Sequence, residues 1–346
     1  MKSQSTFFVK RLLIFLIPLY AVVAFYLITD PFKVIYKYPY FYTNNGSPTV
    51  YALNKDYVSV ETFLKNDMDY HYNSFIFGSS RSMFYRVADW QKYISSKQCF
   101  HFDASSETIF GVTRKVMLLD LKGVKIKNAI FVVDNELLSN TLNSKGSVFI
   151  KHPLLSGQNS FLFQFEFFKT FIDCKFLTDY TYYLITHKIN SPFGILNGSI
   201  MYCNDATNEI SFNNADSLIE INPSKYYAEH VAAFYKRDTL LHTSPMAIQK
   251  EQKIMLQEIR EILRKDTTQY KIIISPLYDQ VKFNPEDKNY LDSIFGKQNV
   301  YDFSGINDIT ENPYNYYENS HYLPRIAARI LKEIYKEPVP DSLRQK

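Results

Sequence analysis

Ser74-Phe75-Ile76-Phe77-Gly78-Ser79-Ser80-Arg81-Ser82 is the stretch that decides how this chain is read. An apolar strand stops at a glycine and passes its serines directly into a helical segment. A hydroxyl at a strand's carboxyl end, beneath a helix amino terminus, is placed for nucleophilic chemistry. Its natural partner lies near the other end of the chain, in Glu318-Asn319-Ser320-His321, where a carboxylate precedes a histidine by three positions.

Four further segments repeat the pattern of a short apolar run ending in polar or small residues: Gln98 to Asp103, Asn128 to Asp134, Tyr270 to Ser275 and Asn299 to Phe303. Helix-like stretches separate them, over Met83 to Ile94, Thr108 to Leu121, Met246 to Arg264, Glu286 to Phe295 and Pro324 to Tyr335. In the stretch from Met246, Ile248, Ile254, Met255, Ile259, Ile262 and Leu263 fall roughly on one stripe. Continuous apolar strands alternating with helices predict a parallel sheet covered on both faces. The fold class is therefore α/β, a doubly wound, flavodoxin-like three-layer sandwich with five parallel strands in the order 2-1-3-4-5.

The rhythm breaks between Leu137 and Thr243, too long an interval for an ordinary connection. It reads as an insertion rich in aromatic residues: Phe161, Phe163, Phe165, Phe167, Phe168 and Phe171, then Tyr180, Tyr182 and Tyr183. Either it packs onto the sheet as a core or lid element, or it offers a surface to a membrane partner or a glycan.

At the amino terminus Lys2, Lys10 and Arg11 precede an uninterrupted apolar stretch, Leu12 to Ile28, which Asp30-Pro31 closes. The length suffices for a membrane-spanning helix, and the basic flank keeps the amino terminus cytoplasmic. No small-x-small cleavage site follows, so an uncleaved anchor is expected rather than a signal peptide. Tyr36, Tyr38, Tyr40, Phe41 and Tyr42 form either an interfacial belt or an aromatic-rich linker. The expected organisation is a tip and anchor over 1–30, a juxtamembrane segment over 31–69, an α/β domain over 70–137 and 244–346, and the insertion over 138–243.

The formal charge of +4 falls to +1 once the three amino-terminal cations are set aside, so the chain has no polybasic footprint for nucleic acid. Cys99, Cys174 and Cys203 are odd in number and lack metal-ligand spacing. One disulfide, such as Cys174 to Cys203, and three unpaired thiols are the alternatives. No cofactor or metal is expected.

In an open α/β sheet, ligands gather where strand order reverses, beyond the carboxyl ends of the strands. With the order 2-1-3-4-5 that crevice lies between the first and third strands. Ser79 and Ser80 end the first strand, Asp134 and Asn135 end the third, and Ser105 follows the second. Ser80 and Ser79 are both candidate nucleophiles. Glu318 is the favoured acid partner of His321, with Asp302 and Asp308 as competitors. Arg81 either positions a substrate or forms a surface ion pair.

Over about 70 to 137 and 244 to 336 the chain resembles the SGNH (GDSL-like) hydrolases. In that family a Gly-x-Ser at the end of the first strand supplies the nucleophile, and Gly78-Ser79-Ser80 matches it. The resemblance makes Ser80 the nucleophile and its own N–H one oxyanion donor. The second family block carries a glycine, and here Phe102-Asp103-Ala104-Ser105-Ser106 stands in its place, with Ser105 as the donor implied. The third block, Gly-x-Asn-Asp, resembles Val133-Asp134-Asn135-Glu136, making Asn135 a side-chain donor. The fourth, Asp-x-x-His, corresponds to Glu318-Asn319-Ser320-His321 with glutamate for aspartate. The roles implied are His321 as general base, Glu318 as its orienting acid, and Ser105 and Asn135 around the oxyanion.

With an amino-terminal anchor and a large insertion, the arrangement resembles bacterial proteins that act beside multispanning membrane-bound O-acyltransferases in alginate and peptidoglycan acetylation and teichoic acid D-alanylation. It implies an exported serine acyltransferase or esterase at the inner membrane's outer face, acting on O-acyl groups of a cell-surface polysaccharide. The alternatives are a non-catalytic scaffold that binds a glycan or the membrane partner, and a general secreted esterase or lipase.

Overall fold

The computed structural model describes residues 2–42, 52–196, 201–237 and 240–339. Parts of the segment expected to be juxtamembrane (43–51) and of the expected insertion (197–200 and 238–239), together with the last seven residues, lie outside the described residues.

Apolar runs bounded by polar residues become strands β1 (Ser74–Gly78), β2 (Cys99–His101) and β3 (Asn128–Val133). Within the insertion, β4 (Tyr202–Asn204) and β5 (Glu209–Ser211) form a separate antiparallel hairpin. The sheet resumes with β6 (Gln269–Ile274) and β7 (Val300–Asp302). All its pairings are parallel, in the order β2-β1-β3-β6-β7. Counted within the sheet alone, this is the expected order 2-1-3-4-5. A last short hairpin joins β8 (Tyr316–Glu318) to β9 (His321–Tyr322).

Strand side chains alternate between two buried layers, as the pleat requires. Phe75, Phe77, Phe131, Val133, Ile272 and Ile274 join one layer, covered by the helices Lys55–Tyr70, Ile109–Leu121, Lys250–Lys265 and Pro285–Phe295. Ile76, Ile130, Val132 and Ile273 join the other, beneath Tyr85, Trp90 and the Pro324–Tyr335 helix. That helix is strongly amphipathic: Ile326, Ile330, Leu331 and Ile334 all face the sheet.

Several boundaries differ from the sequence reading for local reasons. Met83 to Ile94 is not one helix. Ser82 donates both its N–H (2.8 Å) and its hydroxyl (2.7 Å) to the Ser79 carbonyl, which tightens the turn into the 3-10 helix Ser80–Phe84. Only Val87–Trp90 follows as α-helix. The helix expected from Met246 begins at Lys250, because the Ala247 and Ile248 amides donate to the Asp287 carboxylate at 2.7 and 2.9 Å.

The apolar amino-terminal stretch is divided into helices Lys2–Phe15 and Ile17–Thr29. The break at Leu16 sits beside Pro18, which has no N–H to donate. Among the described residues no helix is long and apolar enough to cross a membrane, so the single span expected over 12–28 is not formed as one element. Within the expected aromatic belt, Phe41 and Tyr42 are buried in protein while Tyr36 and Tyr40 are exposed. Asp30 caps the second helix, and its carboxylate accepts from the amides of Val34, Ile35 and Tyr36 and from the Tyr38 hydroxyl. The Lys55–Tyr70 helix belongs to the core rather than to a linker. Cys99, Cys174 and Cys203 form no disulfide.

A buried charge cluster ties these parts together. Lys115 and Lys151 meet Asp56 and Glu107, and all four side chains are at most 1% exposed. Lys151 reaches Glu107 at 2.6 Å and Lys115 reaches Asp56 at 3.2 Å. Burial pushes the Asp56 carboxyl up, but the two lysines outweigh it and hold the group below its ordinary range. Gly111 leaves the room this requires, since a Cβ there would stand 2.1 Å from Glu107 Oε1. Two acids facing two bases balance in charge. Truncating Lys115 to methionine leaves an uncompensated buried carboxylate, and we expect a loss of about 3–5 kcal/mol in urea unfolding. A loss below 1 kcal/mol would count against the cluster as the joint of the fold.

Candidate functional site

Gly78 sets the position of the serines. Its φ of +155° and the 2.7 Å separation between an added Cβ and the Val132 carbonyl leave room only for hydrogen. The chain then turns, and Ser80 opens the 3-10 helix above the carboxyl edge of the sheet.

From the far end of the chain, β8 and β9 bring Glu318 opposite His321. The His321 ring is fixed at three points. Nδ1 bonds the Glu318 carboxylate, Nε2 lies 2.7 Å from Ser80 Oγ, and the Phe84 ring stands 5.6 Å away. The second Glu318 oxygen accepts from the Ser320 amide at 2.7 Å. With Nδ1–H donating to the Glu318 carboxylate, the lone pair of Nε2 faces the serine hydroxyl, so His321 can take the Ser80 proton. Partial burial raises the Glu318 carboxyl pKa, but the hydrogen bond and charge of His321 outweigh it and hold the group below its ordinary range.

Arg81 crosses the crevice. Its guanidinium Nη1 reaches Asp134 at 2.7 Å and Glu136 at 3.6 Å, and Nε donates to the Ser320 carbonyl at 3.3 Å. It thus joins the ends of β1 and β3 to the histidine hairpin. The other Asp134 oxygen caps the Asn135–Ser139 helix through the Leu137 amide, 2.9 Å away.

Not every expected residue joins this group. Asn135 turns its amide to the Pro245 carbonyl at 2.7 Å and lines a neighbouring cavity instead. The cavity at Ser80, of about 220 Å³, is walled on the β2 side by Ser106 and Glu107, and Ser105 is not among its lining residues. Ser106 has φ +44°, in the left-handed region that favours glycine, so this turn holds an unusual backbone at the cavity wall. Ser79 lines the same cavity with a buried hydroxyl that has no hydrogen-bond partner, while His321 engages Ser80. Asp302 is bound to Lys282 at 2.7 Å and to the Ser304 amide at 2.9 Å, and Asp308 pairs with Arg329, so neither is the partner of His321.

The sequence reading missed Glu107 and Ser106. The signal for Glu107 was Lys115, three positions after Val112 and four before Leu119 and so on the apolar face of its helix, where a cation demands a buried anion. Among the described residues no group of three or more His, Cys, Asp or Glu side chains is arranged to hold a metal ion.

Compared with known proteins, the chain matches no family model, no curated protein and no solved structure.

The lowered Glu318 pKa makes a prediction about acid. A carboxyl depressed on folding adds stability above its ordinary value of 4.5, and that contribution is lost as pH falls through the lowered folded value. Urea midpoints of the parent and of Glu318→Gln should therefore differ at pH 7 and converge well below pH 4.5. A gap that stays constant down to strong acid would contradict the pairing.

Proposed function

We propose that this protein is a membrane-anchored, SGNH-type serine acyltransferase or esterase acting on O-acyl groups of a cell-surface polysaccharide. The observation that carries the reading is the 2.7 Å contact between Ser80 Oγ and His321 Nε2, with Glu318 on the opposite ring nitrogen. Ser80 attacks the acyl carbonyl as His321 removes its proton; His321 then returns that proton to the leaving alcohol. Water or a sugar hydroxyl, deprotonated in turn by His321, resolves the acyl-enzyme and frees Ser80. The flavodoxin-like order of the sheet and the left-handed Ser106, in the block where the family carries glycine, support the same assignment.

The full chain in detergent should release acetate from an aryl acetate. Ser80→Ala and His321→Ala should each lower kcat by on the order of 10⁴ or more. Turnover that survives both substitutions would overturn the mechanism.

One observation favours a second reading, a non-catalytic scaffold that docks onto a glycan or a multispanning O-acyltransferase. Asn135, the side-chain oxyanion donor implied by the resemblance, is engaged with Pro245. Absence of covalent labelling by a fluorophosphonate, with glycan binding unchanged in Ser80→Ala, would establish the scaffold.

The anchor rests on the exposed apolar side chains of the first two helices, including Leu13, Phe15, Ile17 and Ile28, and the placement of the domain outside the cytoplasm rests on Lys2, Lys10 and Arg11 in the sequence before them. The stripe Phe161, Phe165, Phe168 and Ile172 runs alongside, for Phe168 meets Tyr26 with ring centroids 5.4 Å apart. In nanodiscs containing brominated lipid, a tryptophan replacing Ile28 should be quenched and one replacing Leu121 should not. Equal quenching at the two positions would remove the anchor.

A further inference from the structure

A second cavity, of about 420 Å³, adjoins the Ser80 cavity and shares Arg81, Asp134 and Glu136 with it. It is the larger of the two and of a size that holds a small ligand. One wall is apolar, with Leu277, Val281 and Phe283 among its residues, and Ser244, Ser304 and Asp279 are among the polar residues of the lining. We propose that this cavity is a saccharide subsite that accepts a sugar unit without acidic groups and rejects units bearing carboxylate or phosphate. The proposal rests on the acyl-transfer or esterase reading and names the substrate class for that site.

Charge carries the argument. Among the described residues that line the cavity, Arg81 is the only lysine or arginine, and three carboxylates line it: Asp134, Glu136 and Asp279. Arg81 is already held by Asp134 at 2.7 Å and Glu136 at 3.6 Å, so its charge is answered within the protein. The nearby Lys282, on the loop that carries Asp279, is answered by Asp302 at 2.7 Å. Asp279 and Glu136 are exposed, the Glu136 side chain 73% so, and the lining keeps an excess of negative charge.

An anionic ligand would meet that excess with no lysine or arginine left to bind it, His242 being the one other basic side chain in the lining. At a separation of about 6 Å and an effective dielectric midway between protein and water, one such repulsion weakens affinity about tenfold. A neutral sugar meets favourable chemistry instead. Its hydroxyls donate to the carboxylates and its C–H faces cover the apolar wall. The shared Arg81 and Asp134 place a sugar bound there next to Ser80, so an O-acyl group on that unit can enter the smaller cavity.

The test uses the full-length Ser80→Ala protein in detergent, which binds without turnover, and two probes of equal length: an O-acetylated cello-oligosaccharide and an O-acetylated oligogalacturonate. Titration calorimetry should give the neutral probe an affinity at least tenfold higher. Adding Glu136→Gln and Asp279→Asn should close most of that gap by strengthening binding of the uronate, with melting temperatures recorded to confirm folding. Equal or tighter uronate binding, a gap unchanged in the triple variant, or no binding of either probe would overturn the subsite. Wild-type turnover of the neutral probe is scored separately. Binding without turnover removes the esterase reading and leaves the subsite, whereas turnover with a preference for uronate removes the subsite and leaves the esterase.

Discussion

Four charges shut away from water, Asp56, Glu107, Lys115 and Lys151, form the constraint on which the rest of this architecture hangs. Each comes from a different part of the chain: the helix before β1, the loop after β2, the helix that follows that loop, and the start of the insertion. A lone buried charge would cost several kcal/mol, so none of the four is stable there without the others. The cluster therefore ties the start of the insertion, through Lys151, to the helix before β1 and to the loop after β2. It also holds Glu107, whose neighbour Ser106 shares the wall of the serine cavity.

Above that base, the carboxyl edge of the sheet is assembled from separate strand ends. Gly78 permits the close approach of β1 to β3, and Arg81 then clasps Asp134 at the end of β3 and the Ser320 carbonyl of the histidine hairpin. Three segments distant in sequence are thereby held at one place by a single side chain. The same clasp divides the crevice into the small polar cavity of Ser80 and the larger, partly apolar one beside it.

The strands were legible in the sequence because a parallel sheet covered on both faces must be written as continuous apolar runs, and Phe75 to Phe77 or Ile130 to Val133 admit little else. The pairing of Glu318 with His321 was legible because three positions across a tight hairpin bring them together. Tertiary contacts decided what was not. Nothing local in Met83 to Ile94 announces that Tyr85 and Trp90 must drop into the core and break the helix. Asn135 looks like a crevice donor until Pro245, over a hundred residues away, claims its amide. Ser105 and Ser106 are the same residue type in adjacent positions, and only the backbone angle separates them.

Contact range distinguishes the two hydrogen bonds of His321. Its bond to Glu318 closes a loop of three residues, and its bond to Ser80 closes one of 241. The first costs little chain entropy and can form while the hairpin is still alone; the second is among the most non-local contacts in the molecule. Ser80 thus meets His321 only after β1, β3, β6, β7 and the terminal helix have taken their places. An incompletely folded chain can carry Glu318 and His321 already paired but leaves Ser80 without its histidine, so the Ser80–His321 bond reports that the whole sheet is in register.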